Sequence, residues 1–139
     1  MAVTYRSDTG TLRADNVTGA QTISFVTTQP SAGDLVVAGG VFYPSASSTL
    51  LVSDNQGNTY NVPDVVRSVL GATAFPTADA YVALAHDENV ASSGTFTLSF
   101  DTQTANSYYV CGGVAFSQAA TASALDVTAA ANTVNTSQN

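Results

Sequence analysis

Two apolar runs, each interrupted by a glycine pair, constrain this chain more than any other feature. Leu35–Tyr43 reads LVVAGGVFY and Tyr108–Phe116 reads YYVCGGVAF. An apolar run of this length belongs either to a buried strand or to a buried helix segment, and its β-branched and aromatic residues favour the strand. A Gly-Gly pair would cost a helix about 2 kcal/mol. In a strand the same pair marks a bulge or the close approach of another backbone. Both runs are therefore read as central strands, lying side by side with their glycines facing.

The remaining segments speak the same language. Ile23 and Phe25 alternate with Thr22 and Ser24, and Phe96, Leu98 and Phe100 alternate with Thr95, Thr97 and Ser99. That period of two places one side of each segment in a core. Val3-Thr4-Tyr5, Ala80–Ala85 and Leu125–Ala131 are further strands, and Pro63–Ala80 is strand or irregular loop. Ser53–Tyr60, SDNQGNTY, carries residues that tolerate positive φ or bond their own backbone. Lying between Leu50–Val52 and Tyr60–Val62, it predicts a β-hairpin that sets the register of the central sheet. Arg6–Gly19 and His86–Asn89 read as polar, turn-rich connections. About eight strands and no sustained helical period give an all-β class: a two-sheet antiparallel β-sandwich of jelly-roll or Greek-key type. It occupies one domain, residues 1–131, followed by a polar tail, 132–139.

Charge narrows the function. Only 9% of the residues are charged, against about 25% in an average soluble protein. Ten acids face three bases, all of them arginine (Arg6, Arg13, Arg67), for a net charge of -7. No cationic patch can be assembled to displace counterions from nucleic acid, and an anionic membrane surface is disfavoured for the same reason. Without lysine there is no Schiff-base or isopeptide chemistry. The single Cys111 cannot form an intrachain disulfide and reads as a small buried hydrophobe. The first ten residues have neither the basic nor the apolar region of a signal peptide, and the apolar runs are too short to span a bilayer as helices.

The order of segments resembles a group of bacterial and phage β-sandwich modules. These carry a "GDLLVV" strand, an "SDxxGNTY" hairpin, an "xTxTVxF" strand, a further apolar strand and an "LD…AA" segment. The matching positions here are Gly33–Val37, Ser53–Tyr60, Thr95–Phe100, Val110–Phe116 and Leu125-Asp126. The resemblance implies a jelly-roll-like fold and a non-catalytic role in a secreted, surface or virion protein, binding glycans or building fibres. It carries over no fixed binding residues. Such modules continue past the last segment, so the resemblance also implies either further chain or a strand supplied by a neighbouring copy.

Candidate sites are few. His86, Asp87 and Glu88 form the one His–carboxylate cluster, but no G-x-S-x-G elbow accompanies it. Glu88 is the only glutamate, which leaves no evident glycosidase pair. Asp54, Asn55 and Asn58 offer oxygen ligands to Ca²⁺ at spacings unlike an EF-hand; Asp54 and Asn58 are the metal candidates, and no cofactor is expected. Tyrosines are better material, because their rings stack on sugars and anchor interfaces. Tyr60, Tyr108 and Tyr109 are the candidate ligand-binding residues. Tyr108 and Tyr109 are adjacent on a strand, so one of them faces away from the core.

These readings lead to a non-enzymatic structural or adhesive module of a phage virion or bacterial surface assembly, extracellular in either case. Its expected partners are further copies of itself, other structural proteins or a host glycan, with neither nucleic acid nor membrane insertion. The alternatives are a carbohydrate-binding module of a larger secreted enzyme and a small hydrolase.

Overall fold

The computed structural model describes residues 3–43, 51–68, 80–103 and 105–117, with the backbone alone for 61–68 and 80–82. These residues form nine strands: β1 (Thr4–Asp8), β2 (Leu12–Val17), β3 (Gln21–Ser24), β4 (Leu35–Tyr43), β5 (Leu51–Asp54), β6 (Asn61–Ser68), β7 (Ala80–Asp87), β8 (Thr97–Asp101) and β9 (Ser107–Ser117). The larger sheet, sheet A, runs β1-β9-β4-β7-β6, with β2 also on β9; the smaller, sheet B, runs β3-β8-β5. Every pairing is antiparallel. The pairs β2/β9, β3/β8 and β4/β7 nest one inside the next along the chain. That is the pattern left when a long hairpin folds over on itself into a jelly roll.

The glycine-bearing strands lie side by side as expected. Gly39 stands opposite Gly112, Gly40 opposite Cys111 and Ala38 opposite Gly113. Alternation then decides what each strand buries. Val36, Ala38 and Phe42 of β4 point inward, as do Tyr109, Cys111 and Ala115 of β9. Phe96 and, from β8, Leu98 and Phe100 meet them from the opposite side and are fully buried, each stabilising the fold by about 2 kcal/mol. Sheet A mostly offers small residues inward, including Ala83 and Ala85 of β7, and sheet B fills the space with rings. A Cβ on Gly113 would overlap Leu98 Cδ1, so that glycine is the hollow into which Leu98 fits. Phe42 packs edge-to-face on Tyr109 at 5.6 Å and tilts against Phe100 at 5.8 Å.

Three expectations need correction. Ser53–Tyr60 does not close a hairpin: β5 pairs with β8 in sheet B, and β6 pairs with β7 in sheet A. The turn residues are there, but the segment carries the chain from one layer to the other. Arg6–Gly19 is not merely connecting: β2 lies within it, an edge strand with Leu12, Ala14 and Val17 packed against the core. His86 and Asp87 belong to the end of β7 rather than to a loop, and His86 is buried. The expected last strand, Leu125–Ala131, and the polar tail lie outside the described residues.

Candidate functional site

Sheet A has a second side. The residues of β4 and β9 that point away from the core are Leu35, Val37, Gly39, Val41 and Tyr43, and Tyr108, Val110, Gly112, Val114 and Phe116. None carries a charge. On this face Val41 is 46% exposed, Val110 49%, Tyr108 41%, and Leu84 of the neighbouring β7 55%. Tyr5 of β1 extends the patch, its ring edge-on to Phe116 at 6.4 Å. Tyr43 and Tyr108 pair in the same manner at 6.2 Å at the opposite end. Contiguous apolar surface on this scale, away from the core of a small domain, marks an interaction site.

The face is not flat. Gly39 and Gly112 are direct partners across β4 and β9 and bring no side chain to the face. Val37 and Val114 border one end, Leu84 one side, and Asp8, Gly10 and Thr11 the other, around an open hollow of about 480 Å³. Neighbouring atoms crowd both glycines: a Cβ on Gly39 would overlap Ala83 O and Leu84 Cδ2. A Cβ on Gly112 would overlap Gly10 O and lie 3.0 Å from Thr9 Oγ1. The Thr9 hydroxyl accepts the Gly113 N–H at 2.9 Å, while Thr9 N–H donates to Gly113 O at 2.9 Å. The β1–β2 turn is thus pinned to β9 beside the hollow. Charged groups sit at this edge: Asp8 accepts from Tyr5 Oη at 2.5 Å, and Arg13 pairs with Asp15 at 3.2 Å. The tyrosine hydroxyl and the Gly10 N–H hold the Asp8 carboxyl below its ordinary value. An apolar centre with a polar rim is the anatomy of a protein interface.

The tyrosine candidates divide. Tyr108 lies on the outer face. Tyr109 points into the core, with its hydroxyl accepting the Thr102 N–H at 3.1 Å beside Ser107. Tyr60 is also buried, and its hydroxyl donates to Asp54 Oδ2 at 2.8 Å. Burial and this carboxylate raise the Tyr60 pKa far above the phenol range. Tyr60 and Tyr109 are therefore core anchors, which corrects their candidacy as surface ligand-binding residues.

Asp54 and Asn58 are brought together, joined by hydrogen bonds. Asp54 Oδ1 accepts the N–H groups of Gln56 (2.8 Å) and Asn58 (3.2 Å), and Oδ2 accepts Asn58 Nδ2 at 2.8 Å as well as Tyr60. Asn58 also exchanges two bonds with the Ala91 backbone, and Asn55 does the same with Thr95 and Thr97. The SDNQGNTY segment is a staple that fastens the sheet-to-sheet crossing to the strand-β8 approach. Among the described residues no three His, Cys, Asp or Glu side chains converge as a metal site.

His86 Nε2 lies 3.5 Å from Glu88 Oε1, and Asp87 Oδ1 accepts the Asn89 N–H. Asp34 is the other carboxylate placed by the fold. It is buried, and it ion-pairs with Arg6 Nε at 2.5 Å while accepting the Ser31 N–H. Cys111 is a free thiol in the core, its pKa pushed up to about 12 by burial. The outer-face hollow was not anticipated from sequence, although the opposed glycine pairs were its signal. No protein-family model, curated protein or solved structure matches this chain.

Proposed function

We propose that this chain is a non-enzymatic structural and adhesive β-sandwich module of a virion or bacterial surface assembly, and that the outer face of sheet A is its working surface. The observation that carries the reading is the uncharged outward row on both central strands, with Val41, Leu84, Tyr108 and Val110 standing in solvent. A sheet whose outer side had only to meet water would alternate apolar with polar residues. Here both sides of β4 and β9 are apolar, so the outer side is built for contact. The absence of lysine and the -7 charge disfavour strongly anionic partners. The test is negative-stain microscopy and glycan-array binding of the pure protein beside Val110→Glu. Ordered assemblies or selective glycan capture, lost in the variant, support the reading. Turnover of ester or glycoside substrates that His86→Ala abolishes and Val110→Glu spares would overturn it.

One observation favours the carbohydrate-binding alternative. Tyr43 and Tyr108 form an aromatic pair at one end of the face, and sugar rings stack on such pairs. Selective capture on the array that is lost in Tyr108→Ala, without assembly of the protein, would assign the module to that class.

A further inference from the structure

Resting on the working-face reading above, we propose that the occupant of this face is the same face of a second copy, packed about a two-fold axis. The argument begins with shape. The Gly39–Gly112 hollow and the Val41–Val110 ridge are successive outward pairs on the same two strands. They lie two residues apart, or roughly 7 Å along the strand. A two-fold axis passing between them sets the ridge of each copy over the hollow of the other. An isologous contact requires this self-complementarity: ridge meets hollow, and hollow meets ridge. Leu84, at the wall of the hollow, then lies against the incoming valines.

Charge permits the same partner. The outward row on β4 and β9 carries no ionisable group other than tyrosine, while Asp8 lines the hollow, Arg13 stands opposite Val110 and His86 opposite Val37 on the flanking strands. Each of these has a partner within its own copy, the Tyr5 hydroxyl, Asp15 and Glu88 respectively, so two copies can meet along the row without stranding a charge, and their net charges of -7 repel through solvent. Size sets the strength. Three or four strands about 4.8 Å apart, paired over about 30 Å, cover roughly 400–600 Å² per copy. The total of roughly 800–1,200 Å² sits at the lower limit for a specific interface. The dimer is therefore a reversible one that forms with rising concentration.

Sedimentation of the whole chain from 1 to 300 µM tests the proposal, at low and high salt, alongside Leu84→Lys and Val110→Glu. Both positions are half-exposed, and circular dichroism with a thermal melt confirms that the variants fold. The expected result is a mass rising from 14.1 kDa toward twice that value, with tighter association at higher salt. Both variants should weaken it at least about tenfold. Lysine reduces the net charge and glutamate increases it, so opposite effects of the two would place the driving force in global charge and overturn the proposal. Association that neither variant changes would also overturn it, because the contact would lie elsewhere. The naphthalene-sulfonate dye ANS separates the remaining outcomes. A monomer at all concentrations whose dye binding is lost in Val110→Glu overturns self-pairing and leaves the working-face reading standing. A monomer that binds neither dye nor glycan overturns both.

Discussion

Removing the Asp54 carboxylate should destabilise this protein more than its partly exposed position suggests. Asp54→Ala deprives four donors of their acceptor: two backbone N–H groups, the Asn58 amide and the Tyr60 hydroxyl. Tyr60 is buried and cannot turn to water, so its orphaned hydroxyl costs about 1–3 kcal/mol. Each backbone N–H in the half-solvated turn adds about 0.5–1 kcal/mol. The sum is about 3–4 kcal/mol, a large part of the roughly 5–15 kcal/mol available to a domain. At this chain length it lowers Tm by about 10–15 °C. Urea titration should show a lower midpoint with an unchanged slope, since the surface exposed on unfolding stays the same. Tyr60→Phe alone should cost about 1 kcal/mol, and the double variant less than the sum, because the two groups share one bond. Millimolar Ca²⁺ should leave the wild-type Tm unchanged, whereas a cation at a hundred times its Kd would add about 2.7 kcal/mol. A loss under about 1 kcal/mol in Asp54→Ala, or a Ca²⁺-dependent stabilisation that this variant removes, would refute the staple.

Two further outcomes follow from the core. Burial raises the Cys111 pKa from 9.0 to about 12, so folded protein should resist thiol reagents that modify it rapidly in urea. The neutral thiol's contribution is complete below the unfolded pKa near 9 and is lost as pH rises toward 12. Stability should therefore fall through that window, with a shallower fall in Cys111→Ala, as followed by urea melts. Gly112→Ala should cost more than Gly113→Ala, about 3 against about 1–2 kcal/mol by chemical denaturation. The new Cβ meets backbone at Gly10 in the first case and the end of the Leu98 side chain in the second.

Local pattern located most of the strands. β4 and β9 were readable because their apolar runs are long and their glycine pairs exclude helix; Phe96, Leu98 and Phe100 because alternation is strict. β2 was hidden: LRADNV buries no large side chain apart from Leu12 and Val17, and pairing with β9 holds it in place. SDNQGNTY shows where local pattern stops. Its turn chemistry is plain, but whether the flanking strands pair with each other depends on β7 and β8, far along the chain. The same holds for the tyrosines. Strand parity puts Tyr108 and Tyr109 on opposite sides, and only the second sheet decides which is inside. An apolar residue on the outer face looks in sequence just like one in the core, so the candidate surface became visible only after the layers were assembled.

The most direct test compares the two sides of sheet A in solution. With methyl-labelled protein and a soluble paramagnetic probe, the methyl groups of Val41, Leu84 and Val110 should relax strongly in dilute samples, while those of Val36 and Leu98 stay silent. Raising the concentration should quiet the first group and leave the second unchanged. Methyls of Val41, Leu84 and Val110 shielded at every dilution, or Val36 and Leu98 as accessible as they are, would contradict an open outer face on a sealed two-layer core.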